Sequence, residues 1–195
     1  MPTIFFRRLV IVCSVLMVVF CCGLAWLPRK IAELHTKTVY FVVYPTESVL
    51  ASTSEISLRG GAGYALADET VAFSVYFSYD DALDVQEKLC ANYPTAQVKS
   101  CRFALDDRAL TNTLYGILQV IDGWINALDD GARQSVVKNG LAEVASLLHH
   151  VGVESGKTIF FDFFQQVLDV SEDIVYANEL RYLLCATIDC VTVST

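Results

Sequence analysis

From Leu9 to Leu27 the chain runs LVIVCSVLMVVFCCGLAWL without a single charge, and Arg7, Arg8 and Arg29, Lys30 bracket the run. A helix over these nineteen residues would reach about 28 Å, close to the ~30 Å hydrocarbon thickness of a bilayer. A soluble helix presents one apolar stripe instead of apolar residues all round. The run is therefore a membrane-spanning segment, and most of the remaining chain is a domain tethered behind it.

That domain is acidic. The whole chain carries −8, but residues 31–195 hold 10 basic against 22 acidic side chains, or −12. Such a balance repels phosphate backbones, which excludes nucleic acid as an expected partner. The basic residues on the two sides of the apolar run nearly tie, so the positive-inside rule does not decide orientation. A short amino-terminal tail before a first apolar helix has the form of a signal-anchor that exports the rest of the chain. Gly23-Leu24-Ala25 keeps a cleaved signal peptide open as the alternative, although the run is longer than the usual signal core and Trp26 suits an interfacial belt. The expected location is the cytoplasmic membrane, single-pass, with the carboxyl-terminal part extracytoplasmic.

Three of the seven cysteines (Cys13, Cys21, Cys22) fall in the apolar run; Cys90, Cys101, Cys185 and Cys190 lie beyond it. No CxxC occurs and the three histidines stand apart from the cysteines, so no metal site is expected, and buried thiols are the simpler reading than a Cys90–Cys101 bridge.

After a connector over residues 28–37, Val39-Tyr40-Phe41-Val42-Val43-Tyr44 is aromatic and β-branched and is stopped by Pro45, which reads as a strand. Thr46–Leu58 is a weak helix closed by Gly60-Gly61-Ala62-Gly63. Residues 64–67 and 71–77 flank Asp68-Glu69-Thr70 as a hairpin. Ser78 caps a helix whose first turn carries Asp80 and Asp81, and Ala96–Phe103 supplies a further strand. This order is the split βαβ arrangement of a ferredoxin-like unit. From Asp106 the period changes to helical: Leu110, Leu114, Ile117, Leu118, Ile121, Trp124, Ile125 and Leu128 form one stripe, and further helices are expected at about 132–149, 157–170 and 172–188. The fold class is α+β: a transmembrane helix (9–27) behind a short tail (1–8), a ferredoxin-like α/β domain (38–103), and an all-helical bundle (105–190).

Chemistry-bearing patterns are sparse. Gly152–Thr158 is one residue short of a phosphate-binding loop and follows a helix, so it reads as a turn; Gly60–Gly63 reads likewise. His149 and His150 are helix neighbours pointing about 100° apart, which suits solvent and the helix dipole better than one shared metal. The acidic pairs sit mainly at helix ends. No enzymatic activity and no cofactor are expected. One surface stands out: with Val39, Phe41 and Val43 turned to the helices, Tyr40 and Tyr44, joined by Ser74 and Tyr76, would form an open aromatic and polar sheet face suited to sugar rings. The other reading has the carboxyl-terminal helices covering that face.

Three segments carry a resemblance: the Val39–Tyr44 strand, the turn Arg59-Gly60-Gly61-Ala62-Gly63-Tyr64, and Val75-Tyr76-Phe77-Ser78-Tyr79-Asp80-Asp81-Ala82 from strand into helix. Over Thr38–Phe103, about a third of the chain, it resembles a diverged SPOR (sporulation-related) domain of membrane-anchored proteins from spore-forming Firmicutes. Tyr44-Pro45-Thr46 stands where that family has a glycine and an aromatic. The resemblance implies non-catalytic binding of peptidoglycan glycan strands at division or sporulation sites. The alternative is a membrane-tethered scaffold whose helical bundle docks a membrane, divisome or sporulation protein.

Overall fold

A computed structural model describes residues 35–46, 49–131, 134–156 and 176–192. The expected membrane segment over 9–27 and the helix expected at 157–170 lie outside them. Among the described residues no helix is long and apolar enough to cross a membrane.

The fold is α+β, with one four-stranded antiparallel sheet and five helices among the described residues. In chain order the elements are β1 (Lys37–Pro45), α1 (Val49–Leu58), β2 (Tyr64–Ala65), β3 (Thr70–Tyr76), α2 (Tyr79–Leu89), β4 (Gln97–Phe103), α3 (Arg108–Asp129), α4 (Gln134–Ser155) and α5 (Ala177–Val191). The strands lie in the order β2-β3-β1-β4. Each of the first two helices thus joins two parallel strands that a third, antiparallel strand separates. The weak helix expected at Thr46–Leu58 forms as α1. Ser78 caps α2 as expected, accepting from the Asp81 amide.

β1 is buried on both sides. Val39, Phe41 and Val43 enter one apolar cluster with α3, α4 and α5, while Val42 enters a second with Ile56 of α1 and Ala82 of α2. The sheet is therefore a middle layer. Between Val42 and Val43 the pairing with β3 slips from Ser74 to Ala72, so Phe73 is an extra residue in a β-bulge. The bulge delivers Phe73 to the cluster beneath α1 and α2.

α3 begins at Asp107, whose carboxylate accepts from the Leu110 amide at 2.9 Å. Just inside, Thr111 is fully buried; its hydroxyl accepts from the Leu105 amide at 2.9 Å and donates to the Asp107 carbonyl at 2.9 Å. This hydroxyl ties the β4–α3 link to the helix. Thr111→Val keeps the shape and strands a buried amide, so urea denaturation should show a loss of about 1–3 kcal/mol.

The stripe from Leu110 to Leu128 falls on α3 as expected. α4 runs to Ser155, one turn and more beyond the expected His149, and stops at Gly156 in a left-handed conformation (φ +67°). Its buried positions Val137, Leu141, Val144, Leu148 and Val151 step by four and three along one face, and Gly140 lies against the Trp124 ring of α3. α5 starts at Ala177, later than expected. It buries Leu180, Leu183, Leu184, Cys185 and Ile188, and just past its end Thr192 pairs with Phe103 at the end of β4. Sheet and carboxyl-terminal helices thus share one core, and the described residues from Lys37 onward form one compact unit.

Candidate functional site

The sugar-binding reading needs an exposed sheet face, and the two faces are both occupied by the chain's own helices. Tyr40 and Tyr76 stand opposite each other on β1 and β3, and Val42 opposite Ser74, so these residues share the side beneath α1 and α2. Tyr40 sits edge-on to Tyr79 of α2, with ring centroids 5.5 Å apart. Tyr44, near the far end of β1, sits edge-on to Tyr93 at 5.2 Å. Ser74 is 2% exposed. The Tyr76 hydroxyl is hydrogen-bonded to Ser74, and burial pushes this phenol up to about 12. The structure thus places the four residues on one side of the sheet, but with the rings of Tyr40 and Tyr44 set against Tyr79 and Tyr93 and with Ser74 buried. The expected open platform gives way to a middle layer because β1 is apolar on both of its faces.

The glycine-rich turn also resolves as architecture. The amides of Arg59, Gly60, Gly61 and Ala62 are directed at the carbonyls of Glu55, Ile56, Ser57 and Phe73, which leaves none of these four to bind an anion. His149 and His150 are both exposed on α4, and among the described residues no group of three or more His, Cys, Asp or Glu could hold a metal ion. No disulfide joins the described cysteines. Cys185 is fully buried, and burial pushes its thiol up.

A different set of polar groups does converge, where α1, α3 and α5 meet. One guanidinium nitrogen of Arg181 donates to the Gly60 carbonyl at 2.7 Å, and the other pairs with Asp129 at the end of α3. The Arg181 side chain is only 16% exposed. Asp122 lies two helical turns before Asp129 on the same face of α3. Burial and, next, the nearby charge of Asp81 raise its carboxyl, against the pull of Arg181, to about 6. A group of this kind takes up and releases a proton near neutrality.

Two turns further along α5, the Tyr64 hydroxyl donates to Asp189 at 3.1 Å while its ring packs edge-on to Tyr182. Burial, then the Asp189 carboxylate, raises the Tyr64 phenol. That pair pins α5 to the edge strand.

Asp122 and Arg181 belong to no motif, although each carries a signal in the sequence. Asp122 is the only charge between Arg108 and Asp129, in the middle of an apolar helix, and Arg181 is the only basic residue after Lys157. A lone charge within an apolar run points to a buried polar contact. Against known proteins, no family model, no curated protein and no solved structure matches this chain.

Proposed function

We propose that this protein is a membrane-tethered interaction module, held on the outer side of the cytoplasmic membrane by residues 9–27, that docks another membrane or envelope protein through its helical layer and performs no chemistry itself. The observation carrying this reading is the three-layer arrangement. With helices on both sides of the sheet, recognition falls to helix surfaces. On α3, Val120 is 46% exposed between Gly116 and Gly123, beside which nothing stands within 4 Å, and on α4 Leu147 is 42% exposed. Small residues around an exposed valine let a partner helix approach closely.

The second reading is the ferredoxin-like, SPOR-like glycan binder acting in sporulation or division. The strand order β2-β3-β1-β4 favours it, being the order of a split βαβ unit, and all three segments of the resemblance fall within or beside that unit. In that case the glycan meets Tyr79, which is 50% exposed, and the rim of Tyr40 and Tyr76, not a bare sheet.

The two readings part in one experiment on the full chain. A photo-crosslinking residue at Val120 or Leu147 is expected to give the same single protein adduct in cells, abolished by a second-site Gly123→Glu on the same helix face. Retention of the detergent-solubilised chain on purified peptidoglycan sacculi, weakened by Tyr79→Ala and indifferent to Gly123→Glu, would replace the first reading with the second.

A further inference from the structure

The two edges of the sheet are built differently. At one, β2 is a strand of two residues and offers almost no unpaired backbone. At the other, β4 runs for seven residues, free of proline and paired one-to-one with β1 from Lys37↔Phe103 to Val43↔Gln97 without a bulge. A long, regular edge strand presents a row of amides and carbonyls to any passing chain, and folds blunt it by shortening, bulging, covering or charging it. Shortening serves β2; β4 has only its charges. Among the described residues no backbone hydrogen bond beyond the ladder with β1 reaches Gln97–Arg102, and the side chains of Gln97, Lys99, Ser100 and Arg102 are exposed.

Only the corner is taken. Thr192, just past α5, makes an antiparallel bridge to Phe103, and its hydroxyl lies 3.0 Å from the Cys101 thiol. The outer side of β4 therefore accepts antiparallel backbone, and Thr192 fixes where an incoming strand must begin. A strand in the same register would set its first residue opposite Arg102 and its sixth opposite Gln97, over about 20 Å.

Charge selects the occupant. β4 holds two cations and no carboxylate, in a domain of net charge −12. Lys99 is drawn to Asp68, whereas Arg102 meets no carboxylate among the described residues. A second copy would bring two acidic domains together and set one cationic strand against another, and a run of acidic residues would meet the same repulsion from the domain as a whole. The strand that fits is β-branched, nearly uncharged, and carries one carboxylate beside Arg102.

We propose that β4 is a docking edge for an extended segment of a partner protein, which adds as a fifth strand antiparallel to β4 and presents a single carboxylate to Arg102 at its first paired residue. Backbone pairing supplies the attachment, and Arg102 sets the register, since a slip by one residue turns the carboxylate to the other face of the sheet. The edge shares no residue with the α3 and α4 faces of the docking reading above, so either can fail while the other holds.

The test is deuterium uptake by residues 97–103 of the detergent-solubilised full chain, titrated with two capped hexapeptides, Glu-Thr-Val-Thr-Val-Thr and its counterpart with Lys in first place. The Glu peptide should slow uptake there and bind about fivefold more tightly than the Lys peptide, and in Arg102→Glu the order should reverse. Gly123→Glu, which disrupts the α3 face, should change neither affinity. Equal binding of the two peptides to the wild type, no protection by either, or an unreversed order in Arg102→Glu overturns the proposal. Two other occupants would overturn it as well: protection that grows with protein concentration in the absence of peptide assigns the edge to a second copy, and protection that is lost on deleting residues 193–195 assigns it to those residues.

Discussion

Gly63→Ala is expected to cost about 3–5 kcal/mol and to leave little folded protein, because two penalties fall on one residue. Gly63 has φ +60°, in the left-handed region where a side chain is strained. A Cβ built there would stand 2.4 Å from the Thr53 carbonyl oxygen, in the backbone of α1, and 3.1 Å from the Ser57 Cβ. Neither neighbour is a flexible tip, so the helix itself must move. Gly60 gives the internal comparison. Its φ is +88°, but nothing lies within 4 Å of a Cβ there, so Gly60→Ala should cost only the conformational part, about 1 kcal/mol. Urea titrations of both variants measure the difference; equal losses would mean that α1 does not press on this turn. The close approach matters because Gly63 leads into β2 and the Gly60 carbonyl receives Arg181, so the turn joins edge strand, first helix and α5.

The order of elements was legible because each local signal agreed with the others. Pro45 ends β1, Ser78 and Asp107 supply caps, and the Leu110–Leu128 spacing has a helical period that no strand could satisfy. The layering was not. Tyr40, Val42 and Tyr44 read as an outer face only when tyrosine is counted as polar, yet Val42 is fully buried and the run Val39–Tyr44 holds no polar residue beyond its phenol oxygens. An unbroken apolar run of this length marks a strand covered on both faces. Ser74 misled in a related way. A small polar side chain on β3 suggests a solvated face, whereas Ser74 is buried. The bulge at Phe73 adds to the difficulty, since one extra residue shifts the alternation along the strand and is invisible in a period-two reading.

The polar junction escaped for a different reason. Asp81 is explained by the first turn of α2 and Asp129 by the end of α3, so each has a sufficient local account. Only the fold brings Arg181, 52 residues beyond Asp129, to that carboxylate. Side-chain pairing over such separations has no periodic signature, and the isolated charges at Asp122 and Arg181 are its only trace in one sequence.

Phe103→Ala should lower stability by about 3–5 kcal/mol and should do so for sheet and helices together. Phe103 is fully buried at the end of β4, stacks on Tyr115 of α3 with centroids 6.3 Å apart, pairs with Lys37 in β1, and bridges to Thr192 after α5. A cavity there removes contacts from the sheet and from two of the helices behind it at once. In a Trp26→Phe background, Trp124 fluorescence reports the α3–α4 contact, while deuterium uptake of β1 peptides reports the sheet. In one cooperative unit the two probes give coincident transitions in urea, and Phe103→Ala moves both by the same amount. Were the helical part a separate bundle, Phe103→Ala would shift the β1 transition and leave the Trp124 transition in place, and the middle-layer sheet on which the interaction reading depends would have to be given up.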